Sequence, residues 1–142
     1  MGQLDRTPPR VFVADDDRAV LDLITTRLAL AGYQTMQARD GWEALDGIYA
    51  SRPAAVVLDI GMPRLDGLGV LRHLRKTRTF ESLPVMMVTA RNTPIEVRSA
   101  LELGARDFLA KPFEDAQLLS RVARMLRRRI SPQQKDAIIL SC

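Results

Sequence analysis

Short strand-like segments alternate along the chain with longer amphipathic ones, and this alternation constrains the fold more than any other feature. Runs of about four to eight apolar residues are typical of buried strands, whereas apolar residues recurring every three or four positions are typical of helices. Strands are predicted at residues 11–14, 33–38, 54–58, 85–88 and 107–110. Helices are predicted at residues 17–31, from Asp40 to just before Pro53, and at 68–77, 94–103 and 114–129.

Local signals support several of these boundaries. Asp17 and Asp40 are expected to cap the helices that follow them, the latter in a capping box with Glu43. Gly32 and Gly104 are expected to end helices. The first helix is predicted to turn one apolar stripe inward, formed by Val20, Leu21, Ile24, Leu28 and Ala31.

Five strands alternating with five helices predict an α/β fold in which a parallel sheet is covered by helices on both faces. With 142 residues in all, one domain is expected. The doubly wound, flavodoxin-like strand order 2-1-3-4-5, a three-layer sandwich, is the natural candidate. In such sheets the ligand binds beyond the carboxyl ends of the strands, where the order reverses between strands 1 and 3.

The expected organisation is a flexible lead-in at residues 1–9, the domain at 10–129 and a tail at 130–142. The tail is either a truncated linker or an extension that docks on the domain. Cys142 is the only cysteine, which fits a reducing cytoplasm. No apolar stretch approaches the roughly 18 residues of a membrane span, and no signal peptide is evident, so we expect a cytoplasmic protein without a membrane partner.

Polar residues follow four of the predicted strands. Asp15 and Asp16 come directly after strand 1, Asp59 after strand 3, Thr89 at the end of strand 4 and Lys111 after strand 5. Each has an ordinary explanation when taken alone, as a helix cap, a turn residue or a solvated lysine. Because all of them fall at one edge of the predicted sheet, we interpret them together as a functional site.

The chemistry of this set favours a cation and a phosphoryl group. Carboxylates held close together raise one another's pKa values unless they are neutralised. Oxygen ligands without His or Cys select a hard ion such as Mg²⁺. With Lys111 opposite, the set suits phosphoryl transfer onto a carboxylate, and the Thr89 hydroxyl could donate to a phosphate oxygen.

Four segments contain or adjoin these polar residues: VFVADDD, VVLDIGMPRLDG, VMMVTA and DFLAKPF. Together they resemble the receiver domain of two-component response regulators. The resemblance covers about residues 10–129, and the spacing of Asp59, Thr89 and Lys111, 30 and then 22 residues, also matches.

The resemblance implies a role for each residue. Asp59 would accept a phosphoryl group from a sensor histidine kinase or a phosphotransfer protein, without the chain being an enzyme in its own right. Asp15 and Asp16 would build the acidic pocket. Mg²⁺ would be held by Asp16, Asp59 and the backbone carbonyl of Gly61.

The resemblance also implies an output. Thr89 and Lys111 would contact the phosphoryl group, and Phe108 would act as a switch by packing alone, since it has no hydroxyl. The responsive face would be helix 4, strand 5 and helix 5, at residues 94–129. That face would bind a partner or a second copy of the chain and control an output, such as transcription through a fused or separate domain.

A haloacid-dehalogenase-type phosphatase is the first alternative. That class also uses an Asp at the end of strand 1, and Asp15 to Asp17 offer its D-x-D pattern. However, Arg18 and Ala19 follow, where that class has Thr or Val at the second position, and no later Gly-Asp-Gly motif is present. Phosphorylation of Asp15 rather than Asp59 would distinguish this class.

A DNA-binding module is the second alternative. The formal net charge is +4, and Arg outnumbers Lys 18 to 3. Arg121, Arg124 and Arg128 share one face of the last predicted helix, with Arg127 and Arg129 close by. A solvated helix end explains this pattern more simply, and no helix-turn-helix, zinc or RNA-binding motif accompanies it.

Overall fold

The structure, a computed structural model, describes residues 7–127. Within them strands and helices alternate, with one 3₁₀ turn, Arg78–Phe80, before the fourth strand. The strands are β1 (Arg10–Ala14), β2 (Gln34–Ala38), β3 (Ala55–Leu58), β4 (Val85–Thr89) and β5 (Asp107–Ala110). The helices are α1 (Arg18–Leu30), α2 (Gly41–Ser51), α3 (Gly67–Arg75), α4 (Pro94–Glu102) and α5 (Asp115–Arg127).

The five strands form one parallel sheet in the order β2-β1-β3-β4-β5, which confirms the predicted fold class and strand order. In its register Ala14 of β1 lies opposite both Ala38 of β2 and Leu58 of β3. The residues that follow Ala14 and Leu58 therefore leave the sheet side by side.

Each face of the sheet has its own apolar core, because successive side chains of a strand point to opposite faces. One core joins alternate strand residues to α2, α3 and α4, and it includes Phe12, Val56, Ile48, Leu71 and Ala100. The other joins the remaining strand residues to α1 and α5, and it includes Val11, Val57, Ile24, Leu118 and Val122. The sheet is thus buried on both sides, as a three-layer sandwich requires.

The helix signals in the sequence are largely confirmed. Asp17 and Asp40 cap α1 and α2, accepting hydrogen bonds from backbone N–H groups of the first turn. The chain turns after α1 and α4 at Gly32 and Gly104, with φ of 100° and 87°.

Two local predictions are wrong. Ala31 does not join the inward stripe of α1, because the helix ends at Leu30 and Ala31 is its exposed C-cap. The third helix ends at Arg75 rather than at residue 77, and the 3₁₀ turn that follows was not predicted. Three predicted parts lie wholly or partly outside the described residues: residues 1–6 of the lead-in predicted at 1–9, residues 128–129 of the last helix, and the tail at 130–142.

Candidate functional site

Asp15 and Asp59 leave adjacent parallel strands, and the sheet itself fixes their backbones. The N–H of Asp15 donates to Ala38 O at 3.1 Å, and the N–H of Asp59 donates to Ala14 O at 3.0 Å. Both residues are buried, with 1% and 6% of their surface exposed. The sheet thus holds two carboxylates in a largely dry position at its carboxyl edge.

Lys111 bridges these two carboxylates from the other side of the site. Its Nζ donates to Asp15 Oδ2 at 2.7 Å and to Asp59 Oδ2 at 3.3 Å. Its backbone N–H donates to Thr89 O at 3.0 Å, which ties the end of β5 to the end of β4. The structure therefore brings together Asp15, Asp59, Thr89 and Lys111, as predicted.

Burial and charge act in opposite directions on this pair. Burial raises the pKa of Asp15 above its usual value, and the hydrogen bonds from Lys111 and from the Asp17 N–H offset this only in part. Burial also works against the ammonium of Lys111, but the hydrogen bond to Asp15 and the charges of both carboxylates raise its pKa overall. One lysine thus incompletely balances the buried acid.

The remaining acidic residue, Asp16, completes a cluster that fits a hard cation. One carboxylate oxygen from each of Asp15, Asp16 and Asp59 lies within 4.8 Å of the others. These ligands are all oxygen, which suits Mg²⁺, and Lys111 supplies a single positive charge against them. The donor set and the excess of negative charge both fit a divalent ion.

Thr89 is buried at the end of β4, with 1% of its surface exposed. Its Oγ1 accepts a hydrogen bond from the Arg91 N–H at 3.0 Å. A hydroxyl that accepts one hydrogen bond still has its own proton to donate. The Thr89 hydroxyl therefore keeps a proton that it can donate to another group.

The loop after Asp59 depends on a glycine that the sequence analysis did not single out. A Cβ at Gly67 would collide with the backbone of Asp59, on its carbonyl oxygen, and of Ile60. The Gly67 N–H donates to Ile60 O at 2.8 Å, and the Gly61 N–H approaches Asp59 Oδ1 at 3.3 Å. The first turn of α3 is thereby packed directly on the loop that presents Asp59. Asp66 caps α3 by accepting a hydrogen bond from the Gly69 N–H, and a glycine directly after this residue was the signal in the sequence.

Phe108 lies in β5 opposite Met87 of β4, half-buried against the core shared with α2, α3 and α4.

The neighbouring residue of β5, Asp107, accepts hydrogen bonds from Arg121 at 2.8 Å and Arg124 at 2.7 Å. Two of the arginines of the basic last helix are therefore paired with an acid of β5. Arg128 and Arg129 lie outside the described residues.

Comparison with known proteins decides the family. The family model described as the response regulator receiver domain matches residues 11–123. The chain belongs to this family. The expected resemblance is thus confirmed over nearly the same residues that carry it in the sequence.

The curated relatives are longer than this chain. The response regulator MprA of Mycobacterium sp. strain KMS is 49% identical over 134 residues, which cover 94% of this chain and 57% of that protein. MprA of Mycobacterium bovis strain BCG is 48% identical over 84% of this chain and 51% of its own length. The chain spans little more than half the length of these relatives.

Solved structures agree with this fold. The receiver domain of the Francisella response regulator 1452 superposes with a TM-score of 0.79 at 35% identity, over 86% of this chain and 99% of that one. The chemotaxis response regulator CheY4 of Vibrio cholerae gives a TM-score of 0.79 at 28% identity, over 84% of this chain and 100% of that one. The matches give no support to the phosphatase or the DNA-binding alternative.

Among the described helices, none combines the length and hydrophobicity of a membrane span.

Proposed function

We propose that this receiver domain accepts a phosphoryl group on Asp59. The observation that carries the proposal is the shared lysine: Lys111 contacts Asp59 Oδ2 and Asp15 Oδ2 together. A carboxylate oxygen of Asp59 attacks phosphorus on a phosphohistidine donor, and a P–O bond forms as the P–N bond breaks. The leaving imidazole keeps the electron pair and takes up a proton. The donor's histidine supplies the phosphoryl group. The receiver supplies the accepting carboxylate and the fixed charges around it.

The metal site belongs to the same proposal. Asp16, Asp59 and the carbonyl of Gly61 would hold Mg²⁺, with Asp15 completing the acidic pocket. When bound, the ion neutralises phosphate oxygens. Thr89 would donate its hydroxyl proton to a phosphoryl oxygen, and the Lys111 ammonium would contact another.

Mass spectrometry after incubation with acetyl phosphate and Mg²⁺ tests the acceptor directly. The parent protein should gain one phosphoryl group, Asp59→Asn should gain none, and Asp15→Asn should at most gain it more slowly. Full labelling of Asp59→Asn, or labelling mapped to Asp15, would overturn the assignment. The second outcome would favour the phosphatase-like chemistry.

The proposed output face is α4, β5 and α5. A phosphoryl group draws the Thr89 hydroxyl toward it, and Phe108 turns inward to fill the space left beside β4. The face is suited to a partner or a second copy of the chain, because α4 buries only Ala100 and leaves Ile95 78% exposed. Leu101 on the same helix is also exposed.

Backbone amide spectra with and without beryllofluoride test this output. Shifts should extend from the loops around Asp59 and Lys111 to residues 94–108, and Thr89→Ala should suppress the distant ones. Shifts confined to the loops, unaffected by Thr89→Ala, would leave the acceptor site standing and refute the switch.

The wider setting is proposed on the same basis. The domain is taken to span residues 10–129, with 1–9 as lead-in and 130–142 as a linker or tail. Since the matched region makes up only 57% and 51% of the two MprA relatives, an output domain, DNA-binding or otherwise, is a proposed partner. The acceptor role of Asp59 adds a sensor histidine kinase or a phosphotransfer protein as the proposed phosphoryl donor. Transcriptional control in the cytoplasm remains a prediction of this scheme.

A further inference from the structure

Arg91 has no part in the function proposed above, yet its side chain begins at the edge of the acceptor site. Its backbone N–H donates to Thr89 Oγ1 at 3.0 Å. Its Cδ lies 3.4 Å from the position that a Cβ of residue 61 would occupy. The N–H of Gly61 in turn approaches Asp59 Oδ1 at 3.3 Å. The Arg91 stem and the acceptor carboxylate thus both lie next to Gly61.

The guanidinium of Arg91 is turned away from the site toward α4. Its Nε donates to Glu96 Oε2 at 2.6 Å. Glu96 is the third residue of α4, and its other oxygen, Oε1, accepts the hydroxyl proton of Thr93 at 3.1 Å. Because Thr93 also caps the Glu96 N–H at 3.3 Å, Glu96 would keep two hydrogen bonds to Thr93 if Arg91 left it.

A phosphoryl group on Asp59 would compete with Glu96 for this guanidinium. It carries a charge of about −1.5 to −2 and three acceptor oxygens, against one charge on a carboxylate. A guanidinium presents its N–H groups as a planar fork that suits phosphate oxygens. The group would also form beside Gly61, next to which the Arg91 stem already lies.

We propose that Arg91 exchanges Glu96 for the phosphoryl group when Asp59 is phosphorylated. The inference depends on the proposed acceptor role of Asp59. Arg91 is then a further phosphoryl-contacting residue, and Glu96 is its ion-pair partner while Asp59 is unphosphorylated. The exchange removes the ion pair joining the β4–α4 loop to the first turn of α4. The occupied site is thereby linked to a helix that buries only one residue.

The affinity of the protein for beryllofluoride in the presence of Mg²⁺ tests the exchange. Arg91→Gln should weaken binding about three- to fivefold, the scale of one partly exposed ion pair. Glu96→Gln should tighten binding about twofold, because Arg91 no longer has a charged competitor, while glutamine still completes the cap with Thr93. The double variant should bind like Arg91→Gln alone. In the parent protein, the Arg91 Nε–H resonance should shift when beryllofluoride is added.

Arg98→Gln is the matched control, since it removes one exposed arginine of α4 and changes the net charge equally. Equal weakening by Arg98→Gln and Arg91→Gln, or no weakening by either, would overturn the inference while the acceptor role stood. Glu96→Gln that fails to tighten binding would refute the exchange itself. If the parent binds beryllofluoride no better than Asp59→Asn does, the acceptor proposal itself is wrong. The inference about Arg91, which depends on it, is then wrong too.

Discussion

Two half-buried cations hold this domain together at different places, and they face different partners. Lys111, at the carboxyl edge of the sheet, lies against two carboxylates at 2.7 Å and 3.3 Å. Arg75, the last residue of α3, donates to four backbone carbonyls at 2.9 Å to 3.1 Å. Those carbonyls belong to Phe80, Leu83, Leu103 and Gly104.

The partners decide what each cation does. Carboxylates raise the pKa of Lys111 in spite of its burial, whereas burial and the charge of Arg106 lower the pKa of Arg75. A metal ion or a phosphoryl group can change the charge around Lys111. The backbone carbonyls around Arg75 cannot gain or lose charge. Buried charge therefore marks a responsive site only where its partners can change charge too. Elsewhere it joins segments, here the end of α3, the 3₁₀ turn and the end of α4.

The largest expected effect is the loss of stability in Arg75→Met. The change removes the donor that four carbonyls share, although Phe80 O still accepts from the Leu83 N–H at 3.2 Å. We expect it to lower the free energy of unfolding by about 3 kcal/mol. Urea denaturation with and without Mg²⁺ measures this. The loss should be the same in both conditions, because Arg75 does not contact the acidic cluster.

Arg106→Met is the matched control for Arg75. Arg106 also reaches a backbone carbonyl, that of Ser82, but through a single hydrogen bond of 3.4 Å. Its loss should cost less than about 1 kcal/mol. Equal losses for the two variants would mean that Arg75 is not the joining residue described above.

Lys111→Met should have the second largest effect, and it should depend on Mg²⁺. Without the ion, Asp15 and Asp59 lose their shared donor, and we expect a loss of about 2 kcal/mol. Added Mg²⁺ should restore much of this and should bind more tightly than in the parent, because one competing positive charge is gone. Thermal unfolding across a Mg²⁺ titration measures both. Lys76→Met, at an exposed position, should show neither effect, and a loss in Lys111→Met that Mg²⁺ cannot restore would erase the contrast with Arg75.

Asp16→Ala should change the free energy of unfolding by no more than about 0.5 kcal/mol without metal, typical of a surface substitution. Removing one of three clustered carboxylates relieves repulsion and offsets the lost contacts. The variant should nevertheless lose most of its Mg²⁺ affinity, which isothermal titration calorimetry measures. Unchanged Mg²⁺ affinity would place the ion elsewhere.

The contrast also explains which residues the sequence could predict. Asp15, Asp59 and Lys111 each follow a strand and Thr89 ends one. A correct strand pattern therefore brings them to one edge without knowledge of any side-chain contact. Strand register within the sheet then follows from burial on both faces.

Arg75 could not be found in this way. Its hydrogen-bond partners Leu103 and Gly104 lie 28 and 29 residues away and are carbonyls, which every residue carries. The Arg91–Glu96 pair was missed for a related reason: an exposed arginine in a loop and a half-buried glutamate on a helix carry no periodic signal. Gly67 was passed over because a close backbone approach is visible only once α3 is packed against the loop after Asp59.

The smallest expected effect is a change in how stability depends on pH. The folded state raises the pKa of Asp15, so it binds a proton more tightly than the unfolded chain, whose Asp titrates near pH 3.9. Stability must therefore fall as pH rises from about 4 through the folded pKa. Asp15→Asn lacks this component. Its unfolding free energy relative to the parent should rise over the same window and then level off.

Denaturation in chelator between pH 3 and pH 7 measures this change, with Asp17→Asn as the control, because Asn caps a helix as well as Asp does. The groups facing Asp15 are Asp16, Asp59, Lys111 and the Asp17 N–H, and neither the lysine nor the amide titrates in this window. A relative stability of Asp15→Asn that falls with pH would mean that Lys111 outweighs burial at Asp15, and the site would then be an ordinary ion pair.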